Sequence, residues 1–332
     1  MKEPTRSDIV PIFVFSLPRA GSTLVQKILT AHPAIQSTAE PWILLPLVYS
    51  LKTDGIYTEY AQCIGSMAIH DFIAELPNGK ASYYAAVREL ALRLYRGAGG
   101  NEASHFVDKT PRYHLIASEL LEIFPEARCI LLWRNPLAIA ASILKTWGNS
   151  GRWNIYRYNI DLYKGLENLI SVSQKHPERF LQIRYEDITS KPTETWQRIF
   201  NYLNLEFVPS VLDQYQMVSF SGRMGDPTGH TKFREISPVP INSWPAEFGN
   251  PLRKRWATRY LKWIGDERIN IMGYNRDELL HMLNREAPHS LANFGSDAAY
   301  MALGMVHAPM DLSGLKRQLH LMRKEGHCYA AT

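Results

Sequence analysis

The first clear pattern in the chain is a nearly unbroken apolar run, Ile12–Leu17, which stops at Pro18-Arg19-Ala20-Gly21 and passes into Ser22–Ala31, apolar at helical spacing. A short apolar run closed by a turn reads as a buried strand, and the period that follows reads as an amphipathic helix. The alternation recurs. His105–Lys109 predicts a short strand, Tyr113–Phe124 a helix and Ala127–Arg134 a buried strand. Asn135-Pro136 then opens a helix to Trp147, with proline at its favoured first turn. Ile155–Lys175 predicts one long amphipathic helix, Phe180–Tyr185 a strand and Pro192–Leu203 a helix. Between the first two strands lies a loop and helical region to Gly79, then a helix from Ser82 to Arg96 that Gly97-Ala98-Gly99-Gly100 should stop. Strands alternating with helices imply an α/β fold, a parallel sheet covered on both faces.

Beyond Val218 the pattern changes. Val218–Trp244 is rich in glycine and proline and too long for a simple connection, which predicts a functional or mobile loop. Pro251–Ile264 predicts a helix rich in Arg and Trp, and after residue 285 only Leu312–Lys324 carries a convincing period. The expected division is one domain over 1–284 and a mostly helical C-terminal extension, 285–332, packed on or near it.

The strand–glycine–helix junction at 12–31 is the build of a phosphate cradle. Unpaired amides at a helix start point at one spot, the helix dipole favours an anion there, and Arg19, Ser22 and Thr23 add side-chain donors. The loop departs from a Walker A motif at two places: Ser16 replaces its first glycine and Ser22 replaces its lysine. A nucleotide with a shorter 5′ tail than a triphosphate fits better. A second feature follows at Leu131–Ser142, where Arg134 ends a strand and Ser142 stands eight residues on. Ligands of open α/β sheets collect at strand carboxyl ends, and an arginine with a hydroxyl there can grip a second phosphate. These features leave three readings open: a group-transfer enzyme on a bisphosphorylated nucleotide, a P-loop kinase of a small alcohol, and a nucleotide-binding protein without turnover.

Charge and cysteines narrow the setting. A net charge of +5 over 332 residues suits an anionic ligand, and with no long Lys/Arg run no nucleic-acid stripe is expected. Cys63, Cys129 and Cys328 have neither metal nor disulfide spacing, and no other cluster has metal spacing either. The N-terminal residues lack the apolar core of a signal peptide. The longest apolar run, Pro41–Leu51, is interrupted by Pro46 and is far short of the roughly 20 residues a bilayer requires. A cytoplasmic protein without an integral membrane segment is expected, with oligomerisation left open.

Pro18-Arg19-Ala20-Gly21-Ser22-Thr23, then Leu131–Ser142, then Arg184-Tyr185-Glu186-Asp187 in that order resemble the motifs of sulfotransferases that use 3′-phosphoadenosine 5′-phosphosulfate (PAPS), in their bacterial and tyrosylprotein-sulfotransferase-like branch. The resemblance implies that Arg19, Ala20, Gly21, Ser22 and Thr23 hold the 5′-phosphosulfate and that Arg134 and Ser142 hold the 3′-phosphate. It places Tyr185 near the adenine, and Ser221 and Arg223, by a looser match, on the 3′-phosphate side. A His-Pro turn ahead of a glutamate, Ala31–Glu40, makes Glu40 the implied base, and Phe106-Val107-Asp108-Lys109-Thr110-Pro111 makes Lys109, with Arg19, the group that steadies the sulfonate. His32 reads as a helix-end cap; His32, His105 and His230 are the bases to consider after Glu40. The acceptor would be the hydroxyl of a small molecule, glycan or peptide, and the transfer needs no metal. Golgi members of the family carry an N-terminal anchor, so its absence points away from secretory-pathway substrates.

Overall fold

A computed structural model describes residues 9–310 apart from 54, 55, 57, 59, 101, 102, 149, 150 and 221–242. Its centre is a five-stranded parallel sheet, β1 (Val10–Ser16), β2 (Ile35–Ser37), β3 (His105–Asp108), β4 (Arg128–Trp133) and β5 (Phe180–Arg184), in the spatial order β2-β3-β1-β4-β5. Phe13 pairs with Asp108 on one side of β1 and with Cys129 on the other. A strand paired on both edges and covered on both faces must be apolar throughout, and every residue of β1 after Val10 is buried. The rings of Phe13 and Phe124 lie 5.1 Å apart, joining β1 to the end of the helix over Ala117–Ile123, and those of Phe15 and Phe180 lie 5.7 Å apart within the sheet, from β1 to β5.

The chain leaves β1 through α1 (Ser22–Thr30) toward β2 and β3, then crosses to β4 and β5 on the other side of β1. Winding reverses around β1, so a crevice opens above its carboxyl end, where α/β sheets bind ligands. Helices α2 (Leu44–Tyr49), α3 (Gln62–Ala74) and α4 (Lys80–Gly99) fill the β2–β3 connection. Then come α5 (Ala117–Ile123), α6 (Pro136–Trp147), α7 (Leu166–Lys175), α8 (Tyr185–Ser190) and α9 (Pro192–Tyr202).

Several elements differ from the sequence expectation, each for a physical reason. The helix expected over Tyr113–Phe124 is broken at Ile116, whose φ of −133° leaves the helical region, giving a 3₁₀ turn Pro111–Leu115 ahead of α5. The long helix Ile155–Lys175 contains a π turn, Ile160–Gly165, that carries buried Asp161 onto His114 and Arg112. Gly165 packs so closely there that a Cβ would come within 2.7 Å of the His114 imidazole. Helix α4 continues through Gly97 and Gly99, with Gly99 buried beside Ile9 and Phe106, and stops only at Gly100. Phe294–Met310 is a helix that the sequence showed only as apolar composition without period. Its buried Asp297 is fixed by Arg253 Nε and Asn250 Nδ2, each at 2.6 Å, on the helix Pro251–Ile264 and its cap. Cys328 and the segment Leu312–Lys324 lie outside the described residues.

Candidate active site

The β1–α1 loop supplies the first wall. Gly21 caps α1 at φ 101°, a conformation that favours glycine, and a Cβ there would lie 2.4 Å from the ring of Tyr185. Leu24 and Val25 donate their amides to the Gly21 carbonyl. Among the described residues no backbone carbonyl takes the amides of Gly21, Ser22 or Thr23, which leaves them for an anion at the helix start. Arg19 holds φ at 69°, a strained value for a residue with a side chain, and such strain concentrates at functional sites. Its guanidinium donates to Ser142 Oγ and Thr146 Oγ1, both at 3.3 Å, and lies over the Trp147 ring at 5.5 Å. That ring is stacked in turn on Tyr158.

Arg134 comes from the end of β4. Its Nη1 donates to the Arg19 carbonyl at 2.8 Å, and its guanidinium lies 4.2 Å over the Tyr185 ring. Burial lowers the pKa of this guanidinium, an effect opposed by Tyr185, Glu186 and Tyr274. Its Nε is buried with no hydrogen-bond partner among the described residues, as is Ser16 Oγ beneath the loop. A buried cationic donor without an acceptor suits an anion such as a phosphate. The expected pairing of Arg134 with Ser142 takes another form: both residues bind Arg19, one through its backbone and one through its side chain. Tyr185 is buried, braced between Gly21 and Arg134, at the start of α8. Glu186 and Asp187 hold this corner. Glu186 accepts from the Asn135 amide and the Tyr274 hydroxyl, while Asp187 takes two bonds from Arg184 at 2.9 and 2.7 Å.

The decisive contact lies at the other lip. Lys109 Nζ, one residue past β3, donates to Glu40 Oε1 at 2.6 Å, and the two side chains are only 2% and 9% exposed. The same ammonium lies 3.5 Å from Thr23 Oγ1 of the phosphate loop. Glu40 Oε2 accepts the Trp42 indole N–H at 3.1 Å, and Trp42 holds φ at 58°. The Trp42 amide donates to Thr110 Oγ1, which itself donates to buried Asp108 at 3.0 Å. Asp108 also accepts the hydroxyls of Tyr95 at 2.6 Å and Tyr113 at 2.8 Å. Burial pushes its carboxyl pKa up to about 6 despite these donors. Neither Asp108 nor its partners stood out in the sequence, although adjacency to Lys109 was the available signal.

The alternative bases stand elsewhere. His32, at the end of α1, accepts the Ala34 amide on Nδ1 and faces the Glu206 carbonyl with Nε2, and burial lowers its pKa. Its ring bonds the turn after α1 and the Glu206 carbonyl rather than the last carbonyls of the helix. His105 opens β3 at the end of the sheet opposite Lys109. His230, Ser221 and Arg223 lie outside the described residues.

The profile described as the sulfotransferase family matches residues 11–209, more than half the chain. The chain belongs to the sulfotransferase family. It is 36% identical over 145 residues to the nodulation protein NoeE of Sinorhizobium fredii, an alignment covering 42% of this chain and 33% of that protein. It therefore spans about a third of that relative's length. A putative protein-tyrosine sulfotransferase of Caenorhabditis briggsae is 24% identical over 226 residues, covering 65% of this chain and 72% of that one. Among solved structures, the sulfotransferase domain from the curacin biosynthetic pathway superimposes with a TM-score of 0.50 at 24% identity, over 72% of this chain and 91% of that chain. The fold is thus shared with known sulfotransferases. No helix among the described residues is long and apolar enough to cross a membrane.

Proposed function

We propose that this chain transfers a sulfuryl group from PAPS to a hydroxyl acceptor, with Glu40 as general base. The observation that carries this reading is the Glu40–Lys109 pair, 2.6 Å apart, with Lys109 also 3.5 Å from the phosphate loop at Thr23. One carboxylate and one ammonium, from different segments, meet at the lip of an anion cradle. In-line transfer asks for that combination.

The free amides of Gly21, Ser22 and Thr23 would hold the 5′-phosphosulfate, and Arg134 with its unpartnered Nε would take the 3′-phosphate. Arg19, carried between Ser142 and Arg134, is the hub that sets the two phosphate sites relative to one another. Glu40 accepts the proton of the acceptor hydroxyl as the new O–S bond forms. The bond from sulfur to the 5′-phosphate oxygen breaks, and Lys109 and Arg19 offset the charge gathering on that oxygen. The products are the sulfate ester and adenosine 3′,5′-bisphosphate. The family match and the putative protein-tyrosine sulfotransferase support the family chemistry without fixing this chain's acceptor, which we place among small-molecule, glycan and peptide hydroxyls, nor its compartment, which we place in the cytoplasm.

Incubation with ³⁵S-labelled PAPS and a phenolic acceptor tests the reading. Labelled ester and a nucleotide site that prefers adenosine 3′,5′-bisphosphate to ATP are expected. Preferential binding of ATP with phosphoryl transfer would instead make the chain a kinase.

A further inference from the structure

A cleft of about 930 Å³ is lined from α2, α3, the start of α4, α5, the π turn and α7. Two of its lining residues belong to the segments that follow Glu40 and Lys109 in sequence. Tyr49 lies on α2, which starts four residues after Glu40, and Leu115 closes the 3₁₀ turn that starts two residues after Lys109. Lys52 Nζ donates to the Leu115 carbonyl at 3.3 Å and so ties these two segments together.

The lining has a definite chemistry. Lys164, Asn168, Ser171 and Lys175, spaced four, three and four apart, all face the cleft from one side of the π turn and α7. Lys52 and Lys80 stand among the other lining residues, so four lysines meet two carboxylates. Both carboxylates are already taken, Glu119 by Lys52 and Glu122 by Lys80, each at 3.0 Å. Lys164 and Lys175 have no ion-pair partner among the described residues, so the cleft keeps two uncompensated positive charges. Leu115 and the partly exposed Ile160 add an apolar strip between these polar walls. An apolar strip rimmed by convergent polar groups, in a cavity of this size, is the build of a ligand site.

We propose that this cleft binds an anionic oligosaccharide, the part of the acceptor chain remote from the hydroxyl that reacts at Glu40. The Ser171 hydroxyl and the amide oxygen of Asn168, whose Nδ2 is held by the His114 carbonyl at 3.1 Å, suit sugar hydroxyls, and the lysines suit carboxylate or sulfate groups on the same chain. An acidic peptide is the weaker fit. No strand lines the cleft to pair with a peptide backbone, and no arginine supplies the planar fork that acidic-motif sites use. The proposal rests on the sulfotransferase reading of the Glu40–Lys109 pair, which can fail separately.

Calorimetry on the full chain and on the Lys164→Glu/Lys175→Glu variant tests it, with oligogalacturonate and chondroitin sulfate oligosaccharides, neutral malto-oligosaccharide and oligoglutamate as probes. At least one anionic oligosaccharide should bind the unmodified protein, more weakly as salt rises, and lose roughly tenfold in affinity in the variant. Adenosine 3′,5′-bisphosphate titrated into both proteins reports whether the nucleotide site is intact. Failure of both anionic oligosaccharides to bind, equal binding by the variant, or binding of oligoglutamate alone would overturn the proposal while leaving sulfate transfer to a phenol unaffected. An oligosaccharide that binds in the charge-dependent way yet receives no sulfate from PAPS would keep the binding site and remove its acceptor role.

Discussion

Lys109 and Glu40, 69 residues apart in sequence, meet at 2.6 Å in a nearly closed pocket, each with one further polar contact that fixes its direction. The Glu40 carboxylate, the proposed base, is therefore held in one position. Glu40→Gln keeps the shape and the indole contact but removes the proton acceptor, so turnover should fall by about 10²- to 10⁴-fold. Affinity for adenosine 3′,5′-bisphosphate should stay near that of the unmodified protein, since the nucleotide contacts lie on the other wall. Near-normal kcat in this variant would move the base to another residue.

Arg134 is held by one backbone contact and a ring, with its Nε free of partners among the described residues. Arg134→Ala removes charge-assisted bonds of about 1.5–3 kcal/mol, so affinity for adenosine 3′,5′-bisphosphate should fall by roughly ten- to hundredfold. Titration calorimetry measures this directly, and unchanged affinity would take Arg134 out of the nucleotide site.

Gly21 and Tyr185 form a close contact that admits no side chain. Gly21→Ala meets both the left-handed backbone and a ring 2.4 Å from the new methyl, so it should cost more than about 1 kcal/mol of stability and weaken nucleotide binding. Removing the ring by Tyr185→Ala should make the same glycine substitution less costly, because only the backbone term remains. Urea unfolding of the four proteins in that cycle reads the coupling, and additive losses would mean the ring is not what excludes the methyl.

The strand, glycine turn and helix at 10–30 were legible because each is a local pattern: an apolar run, a residue free to take positive φ, and a helical period. Arg134 and Ser142 were legible as a spacing, but their joint attachment to Arg19 was not, since it depends on Arg19 taking φ 69° with no glycine to mark it. Glu40 was reached through family resemblance; its contact with Lys109 spans the whole β2–β3 connection, with its three helices, which no local period encodes. The π turn at Ile160–Gly165 was hidden for a related reason. A period of 3.6 fits both sides of it, and only the cluster of Arg112 with buried Asp161 and His114, made across 47 residues or more, forces the extra residue in.

Asp108 underlies the Glu40–Lys109 pair from both directions, covalently through Lys109 and by hydrogen bonds through Thr110 and Trp42 to Glu40. Burial raises its carboxyl from the ordinary 3.8 to about 6, against the opposing donors Tyr95, Tyr113 and Thr110 and the charge of Lys109. The folded protein thus keeps the proton to a higher pH than the unfolded chain does. The stability this contributes is fully present below about pH 4 and is lost as pH rises to about 6, a change of roughly 3 kcal/mol for two pK units, after which it is flat. Asp108→Asn has no proton to lose. The melting temperature of the unmodified protein should therefore drop relative to the Asp108→Asn variant between pH 4 and pH 6 and run parallel to it above. A constant difference across that window would show that Asp108 titrates as it does in the unfolded chain, and that the hydroxyls of Tyr95 and Tyr113 fully offset its burial.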